Sequence, residues 1–236
     1  MRYAEIKDTL KTGDILLFRA GTTLPGKIVS WISRSLFSHV GMIVRREQTL
    51  CLWESGRDEV ADVIVGKKVT GVHLVLLDDV LAAYTAFWEG EFILRRLSKD
   101  IDNEQATALR EWMPSVDGKA FPALWQIPLD QLDALWNRSK MNRETFACAE
   151  LIVDTYRRMN LLNMDRSPES FSAQDFSADA GMKLQFGYSL GDEILVTLDL
   201  GKGKGGAEAG GDKMFAAEID RPALGPFVTD DSIIAP

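Results

Sequence analysis

Short apolar runs bounded by turn residues dominate the N-terminal half of the chain. Residues 13–19, Gly-Asp-Ile-Leu-Leu-Phe-Arg, predict a strand launched from a turn. Ile28, Trp31, Ile32 and Leu36 then recur at helical spacing from near Pro25. Residues 39–45 and 49–54 are apolar runs joined by Arg46-Glu47-Gln48, which predicts a hairpin, although Arg-Glu is not a favoured tight-turn pair. Residues 60–65 and 72–77 read as further strands, with His73 expected at an edge or facing outward. A helix follows over 78–89 with Asp78 or Asp79 as its cap. After a strand over 92–97 comes a helix over 102–113, capped by Asp102 or Asn103, with Ala106, Leu109, Trp112 and Met113 on one face.

Leu129, Leu132, Leu135 and Trp136 suggest a short helix with Pro128 near its first position. A strongly amphipathic helix comes next, with Thr145 as N-cap and Leu151, Ile152, Thr155, Tyr156 and Met159 on its apolar face. Antiparallel strands with segregated helices place the chain in the α+β class. Beyond residue 176 the pattern weakens: 193–200 carries one more strand signal, and 201–211 is a Gly-rich linker by composition. The expected organisation is one domain over 1–180 and a Gly-rich, poorly ordered tail over 181–236.

Composition changes this picture in two respects. With 236 residues and 46% hydrophobic content the chain can bury a good core, while a net charge of -8 argues against nucleic acid or an anionic membrane surface as partner. The two cysteines, Cys51 and Cys148, give no disulfide framework. No apolar leader opens the sequence, and no apolar run reaches the length of a membrane span, so a cytoplasmic protein without an integral membrane segment is expected.

Candidate chemistry gathers at three residues. Cys148 falls at the third position of the helix capped by Thr145, where unpaired amides and the macrodipole favour a thiolate. If the hairpin closes around Arg46-Glu47, His39 directly opposes Glu54, and the carboxylate orients the imidazole. The other ring nitrogen then takes the thiol proton, which is triad logic. A slip of one residue would send Glu54 to the other face. Plainer readings stand beside this one: Cys148 as a packed apolar-face residue, His39 as a structural strand residue, Glu54 as a solvated strand end.

Other chemistries have less behind them. Cys51, in an apolar run, reads as core. Two histidines 34 positions apart with no CxxC or HExxH give a metal little support, and no cofactor is expected. Phosphate-binding glycine motifs and the GxSxG elbow are absent. Trp112, Trp125 and Trp136 line a substrate groove or, more simply, fill core.

Gly13-Asp14-Ile15-Leu16-Leu17-Phe18, Ser38-His39-Val40-Gly41, Trp53-Glu54-Ser55-Gly56 and Phe146-Ala147-Cys148-Ala149-Glu150-Leu151 resemble, in that order, the permuted papain-like cysteine hydrolases. More narrowly, they resemble the YiiX/YebB-like branch of the NlpC superfamily. The match runs over about residues 10–176. It implies a permuted papain-like (NlpC-type) fold, with a small antiparallel barrel-like sheet packed against helices that include the nucleophile helix. It also implies Cys148 as nucleophile, His39 as base and Glu54 as orienter. Ala149 stands where the family often carries Ser, and 122–140 has no clear counterpart.

The expected activity is metal-independent hydrolysis of an amide or acyl bond in a small peptide or acyl-amide, through a thioester on Cys148, with the Cys148 amide receiving the oxyanion. The resemblance makes peptidoglycan-type peptides or lipid-linked amides the candidate substrates. A lecithin:retinol-type acyltransferase is a second reading, although its Asn-Cys-Glu-His run is missing here. A binding module that kept the fold and lost turnover is a third.

Overall fold

The computed structural model describes residues 1–19, 36–56, 60–88, 91–120, 148–163 and 165–198. The helices expected over 22–36 and 128–136, Trp125 and the Thr145 cap lie outside them. Six described strands pair antiparallel in one sheet: β1 (Ile15–Arg19), β2 (His39–Arg46), β3 (Thr49–Gly56), β4 (Gly71–Leu76), β5 (Glu91–Arg95) and β6 (Ile194–Val196). Their order is β4-β3-β2-β1-β5-β6. Four α-helices are described: α1 (Tyr3–Ile6), α2 (Leu77–Trp88), α3 (Asn103–Val116) and α4 (Cys148–Arg158). The class is α+β, as expected.

Both faces of the sheet are covered. Leu17, Val40, Met42, Trp53 and Leu74 pack on one side with Leu109 and Met113 of α3 and Leu151, Ile152 and Tyr156 of α4. Leu16, Phe18, Ile43, Leu52, Val75 and Phe92 pack on the other with Val80 and Leu81 of α2 and Ile6 of α1. Strands buried on both sides read as continuous apolar runs, which is the pattern of β1, β2 and β3.

The sheet is open, which corrects the barrel-like expectation. Each outer edge is occupied by its own chain. Val72 donates its N–H to the Lys119 carbonyl at 2.8 Å along β4, and Thr197, just past β6, donates to Met1 at 2.9 Å. Edges satisfied in this way have no free ladder with which to meet each other. β6 bears out the strand signal over 193–200 and pairs with β5, beyond residue 180.

Residues 60–65 form a turn, not the expected strand. Asp62 Oδ1 accepts from the amides of Ile64 and Val65, each at 2.7 Å, and Oδ2 accepts from Leu74 at 2.9 Å. An aspartate that captures amides two and three residues ahead folds the chain back before a strand can form. Asp102 caps α3 by accepting from the Gln105 amide, whereas Asp78 and Asp79 lie in the first turn of α2, not before it.

Gly13-Asp14 works as a corner clamp. Gly13 has φ +95°, in the region that favours glycine. Its carbonyl accepts from the Tyr156 hydroxyl of α4 at 2.6 Å. Asp14 accepts from the Leu97 amide at 2.8 Å and the Lys11 amide at 3.1 Å, joining the start of β1 to the segment after β5. Trp112 behaves as core: its indole N–H, like that of Trp53, donates to Thr155 Oγ1 at 3.2 Å. No described helix is long and apolar enough to cross a membrane.

Candidate active site

His39 opens β2 at the end of the sheet, where its ring packs 5.0 Å from Phe18 and stacks 6.1 Å from Tyr84 of α2. The ring is only 7% exposed. Its Nε2 lies 2.5 Å from Glu54 Oε2, a carboxylate that is itself 5% exposed on β3. Cys148, half-buried at the N-terminal end of α4, hydrogen-bonds the His39 side chain and receives the backbone N–H groups of Val40 and Ala149. With Nε2 engaged by Glu54, Nδ1 is the nitrogen left for the thiol. All three residues singled out from the sequence therefore meet.

The route by which they meet differs from the expected one. The β2–β3 ladder pairs Met42 with Trp53 and Arg46 with Thr49, so the loop is Glu47-Gln48 and not Arg46-Glu47. Glu47 adopts φ +52°, the left-handed backbone that a two-residue hairpin loop demands. The ladder ends at Met42–Trp53, short of both His39 and Glu54. The displacement is two residues, so Glu54 stays on the His39 face.

The electrostatics follow from the geometry. Burial alone would lower the His39 pKa, but the charges of Glu54 and Cys148 and their hydrogen bonds override it and hold the imidazolium up to about 10. Burial alone would raise Glu54, yet His39 and a second histidine hold it down to about 2. Burial likewise raises the Cys148 thiol, and the His39 charge and hydrogen bond, with the two amides, bring it below the ordinary thiol value. Thiolate, imidazolium and carboxylate thus form one coupled system that titrates together. Cys51 is the contrast: burial pushes its thiol up to about 12.

The second histidine is His73, and here the outward-facing expectation fails. β4 is an edge strand, but the His73 ring is 1% exposed, and its Nε2 lies 3.2 Å from Glu54 Oε1. β3 and β4 set Glu54 and His73 directly opposite each other. The signal was present as the pairing of two apolar runs, but their continuous hydrophobicity hid which face His73 takes. Among the described residues no group of three or more His, Cys, Asp or Glu side chains is arranged to hold a metal ion.

No protein-family model matches the chain. It is 32% identical over 114 residues to an uncharacterized protein of Acanthamoeba polyphaga mimivirus, a match spanning 43% of this chain and 45% of the viral one. The chain thus spans less than half the length of that relative. Among solved structures it is similar to the metalloprotein yiiX from Escherichia coli O157:H7, with a TM-score of 0.41 and 19% identity, over 63% of this chain and 66% of that one.

Proposed function

We propose that this chain is a cysteine hydrolase of amide or acyl bonds, with Cys148 as nucleophile, His39 as base and Glu54 as orienter. The observation that carries the reading is the His39 imidazole held between the Cys148 thiol and the Glu54 carboxylate. The chain order of histidine, glutamate and then cysteine on a helix N-terminus supports a permuted papain-like, YiiX/YebB-like fold. A reducing, cytoplasmic setting fits two free cysteines.

In this mechanism the Cys148 thiolate attacks the carbonyl carbon, and the oxygen takes the negative charge. The Cys148 amide at the start of α4 receives that oxyanion. His39 gives its proton to the leaving amine or alcohol as the C–N or C–O bond breaks, leaving a thioester on Cys148. Water then gives a proton to His39 while its oxygen attacks the thioester. Collapse releases the acid and returns the thiolate–imidazolium pair. Glu54 stays ionised throughout and holds the ring in one orientation. Substrates in the proposed class are small peptides or acyl-amides.

The test is iodoacetamide labelling of the native protein at neutral pH, read by peptide mass spectrometry. Cys148 is expected to react far faster than Cys51, whose thiolate fraction at a pKa of about 12 is negligible. His39→Ala is expected to abolish the excess. Equal rates at the two cysteines, or an unchanged rate in His39→Ala, would overturn the proposal.

A further inference from the structure

We propose that His73 is a positioning residue of this site, fixing the Glu54 carboxylate so that Glu54 in turn fixes His39. The consequence for reactivity rests on the reading of Cys148 as nucleophile; the His73–Glu54 relationship does not.

The argument begins with the sheet. Glu54 and His73 are direct cross-strand partners on β3 and β4, so their side chains leave the same face next to each other. Each carboxylate oxygen has its own histidine: Oε2 lies 2.5 Å from His39 Nε2, and Oε1 lies 3.2 Å from His73 Nε2. A glutamate anchored through one oxygen still turns about its terminal torsion, which is broad. A donor on the second oxygen removes that freedom. Three adjacent strands thereby set the angle at which the carboxylate meets the catalytic imidazole.

The hydrogen-bond inventory also assigns the proton. An ionised carboxylate only accepts, so His73 Nε2 carries the hydrogen. His73 Nδ1 is buried and has no hydrogen-bond partner among the described residues. As a bare lone pair it is tolerated there; as a second N–H it would be a buried donor with nothing to receive it. The ring therefore donates to Glu54 through Nε2 and leaves Nδ1 without a partner among the described residues, which distinguishes its role from that of His39. The titratable groups around the pair are His39 from β2, Cys148 from α4, Asp117 just beyond α3, and Asp62, which accepts from the Leu74 amide beside His73.

The experiment compares Cys148 alkylation against pH in the full chain and in two variants, His73→Leu and His73→Gln. Leucine keeps apolar bulk and removes the donor; glutamine keeps an N–H near the Nε2 position. His73→Leu is expected to slow alkylation at neutral pH about tenfold, the effect of one lost hydrogen bond to a charged group, and to move the acid limb upward. His73→Gln is expected to restore both. A purely packing role predicts the reverse order, so a wild-type profile in His73→Leu, or a glutamine variant no better than leucine, would overturn the proposal. ¹⁵N NMR of the unmutated protein decides the tautomer without any variant having to fold. Nε2 is expected protonated and Nδ1 bare at neutral pH; a proton on Nδ1 overturns the assignment. Because that spectrum does not depend on thiol reactivity, failure of the nucleophile reading shows separately, as slow Cys148 labelling beside an intact His73 signature.

Discussion

Glu54 Oε2 lies 2.5 Å from the His39 imidazole Nε2, just past the point where the β2–β3 ladder ends at Met42–Trp53. In the β3–β4 register Glu54 stands directly opposite His73, so one carboxylate serves two histidines.

Glu54→Gln should therefore uncouple the ion pair. His39 stays charged up to about 10 because the Glu54 charge, then that of Cys148, override burial. Removing the first of these lets the imidazolium lose its proton at lower pH, so the alkaline limb of turnover, where His39 must donate that proton, moves down. The acid limb moves up, because a weaker imidazolium supports the thiolate less. Turnover of any cleaved substrate is expected to fall by about 10⁴-fold, the drop seen when a triad orienter is neutralised. A pH–rate series on both proteins checks the two limbs independently.

Stability should follow the same groups, with opposite signs on the two sides of neutrality. Glu54 is held from 4.5 down to about 2, so its contribution is present above 4.5 and is lost as pH falls through about 2. His39 is raised from 6.5 to about 10, so its contribution is full below 6.5 and fades as pH climbs through about 10. Thermal melting of the native protein should therefore decline toward pH 10 more steeply than that of Glu54→Gln. Parallel curves would contradict the coupling.

Much of the site was legible because it depends on parity. Alternation along a strand determines which face a residue takes but not the register, since any even offset leaves every face unchanged. That is why placing the turn at Arg46-Glu47 instead of Glu47-Gln48 still brought Glu54 toward His39. His73 escaped for the complementary reason: β4 is apolar on both sides, and without alternation its facing cannot be read. The turn at 60–65 escaped because Asp62 overrides the β-propensity of Val63, Ile64 and Val65 with three backbone bonds. An open or closed sheet is decided by distant edges, and no local pattern encodes the pairing of Thr197 with Met1.

Gly41 lies between His39 and Ile43 on β2, and a Cβ there would come within 2.7 Å of Leu52 Cγ. Leu52 is fully buried and has little room to retreat. Gly41→Ala is expected to cost about 1–3 kcal/mol by overpacking. Urea unfolding should show the loss as a lower midpoint with an unchanged slope.

Asp14 tests whether the conspicuous Gly13-Asp14 pair is structural. Asp14→Ala strands the buried Leu97 amide and loosens the Lys11 amide, with an expected cost of about 2–3 kcal/mol. The folded fraction should still alkylate at Cys148 at the wild-type rate, because Asp14 bonds only backbone at the far end of β1. A reactivity loss larger than the unfolded fraction explains would assign Asp14 a part in the chemistry.

Arg95 decides whether the segment before β6 belongs to the fold or merely lies against it. Its guanidinium is 6% exposed and reaches no carboxylate within ion-pair distance among the described residues. Instead Nε donates to Gly191, Nη1 to Phe176 and Ser177, and Nη2 to Leu190, at 2.8–3.0 Å. Four carbonyls from two stretches of chain thus converge on a single planar fork anchored in β5, a geometry that lysine cannot reproduce. Arg95→Lys keeps the charge and at most one or two of the bonds, for an expected loss of about 2–4 kcal/mol. Hydrogen exchange locates the effect. Amides over 176–191 and in β6 should exchange faster, while those of β2 and β3, held by their own ladders and by α4, keep their protection. Uniform acceleration across the sheet would instead make this clamp part of the global folding unit.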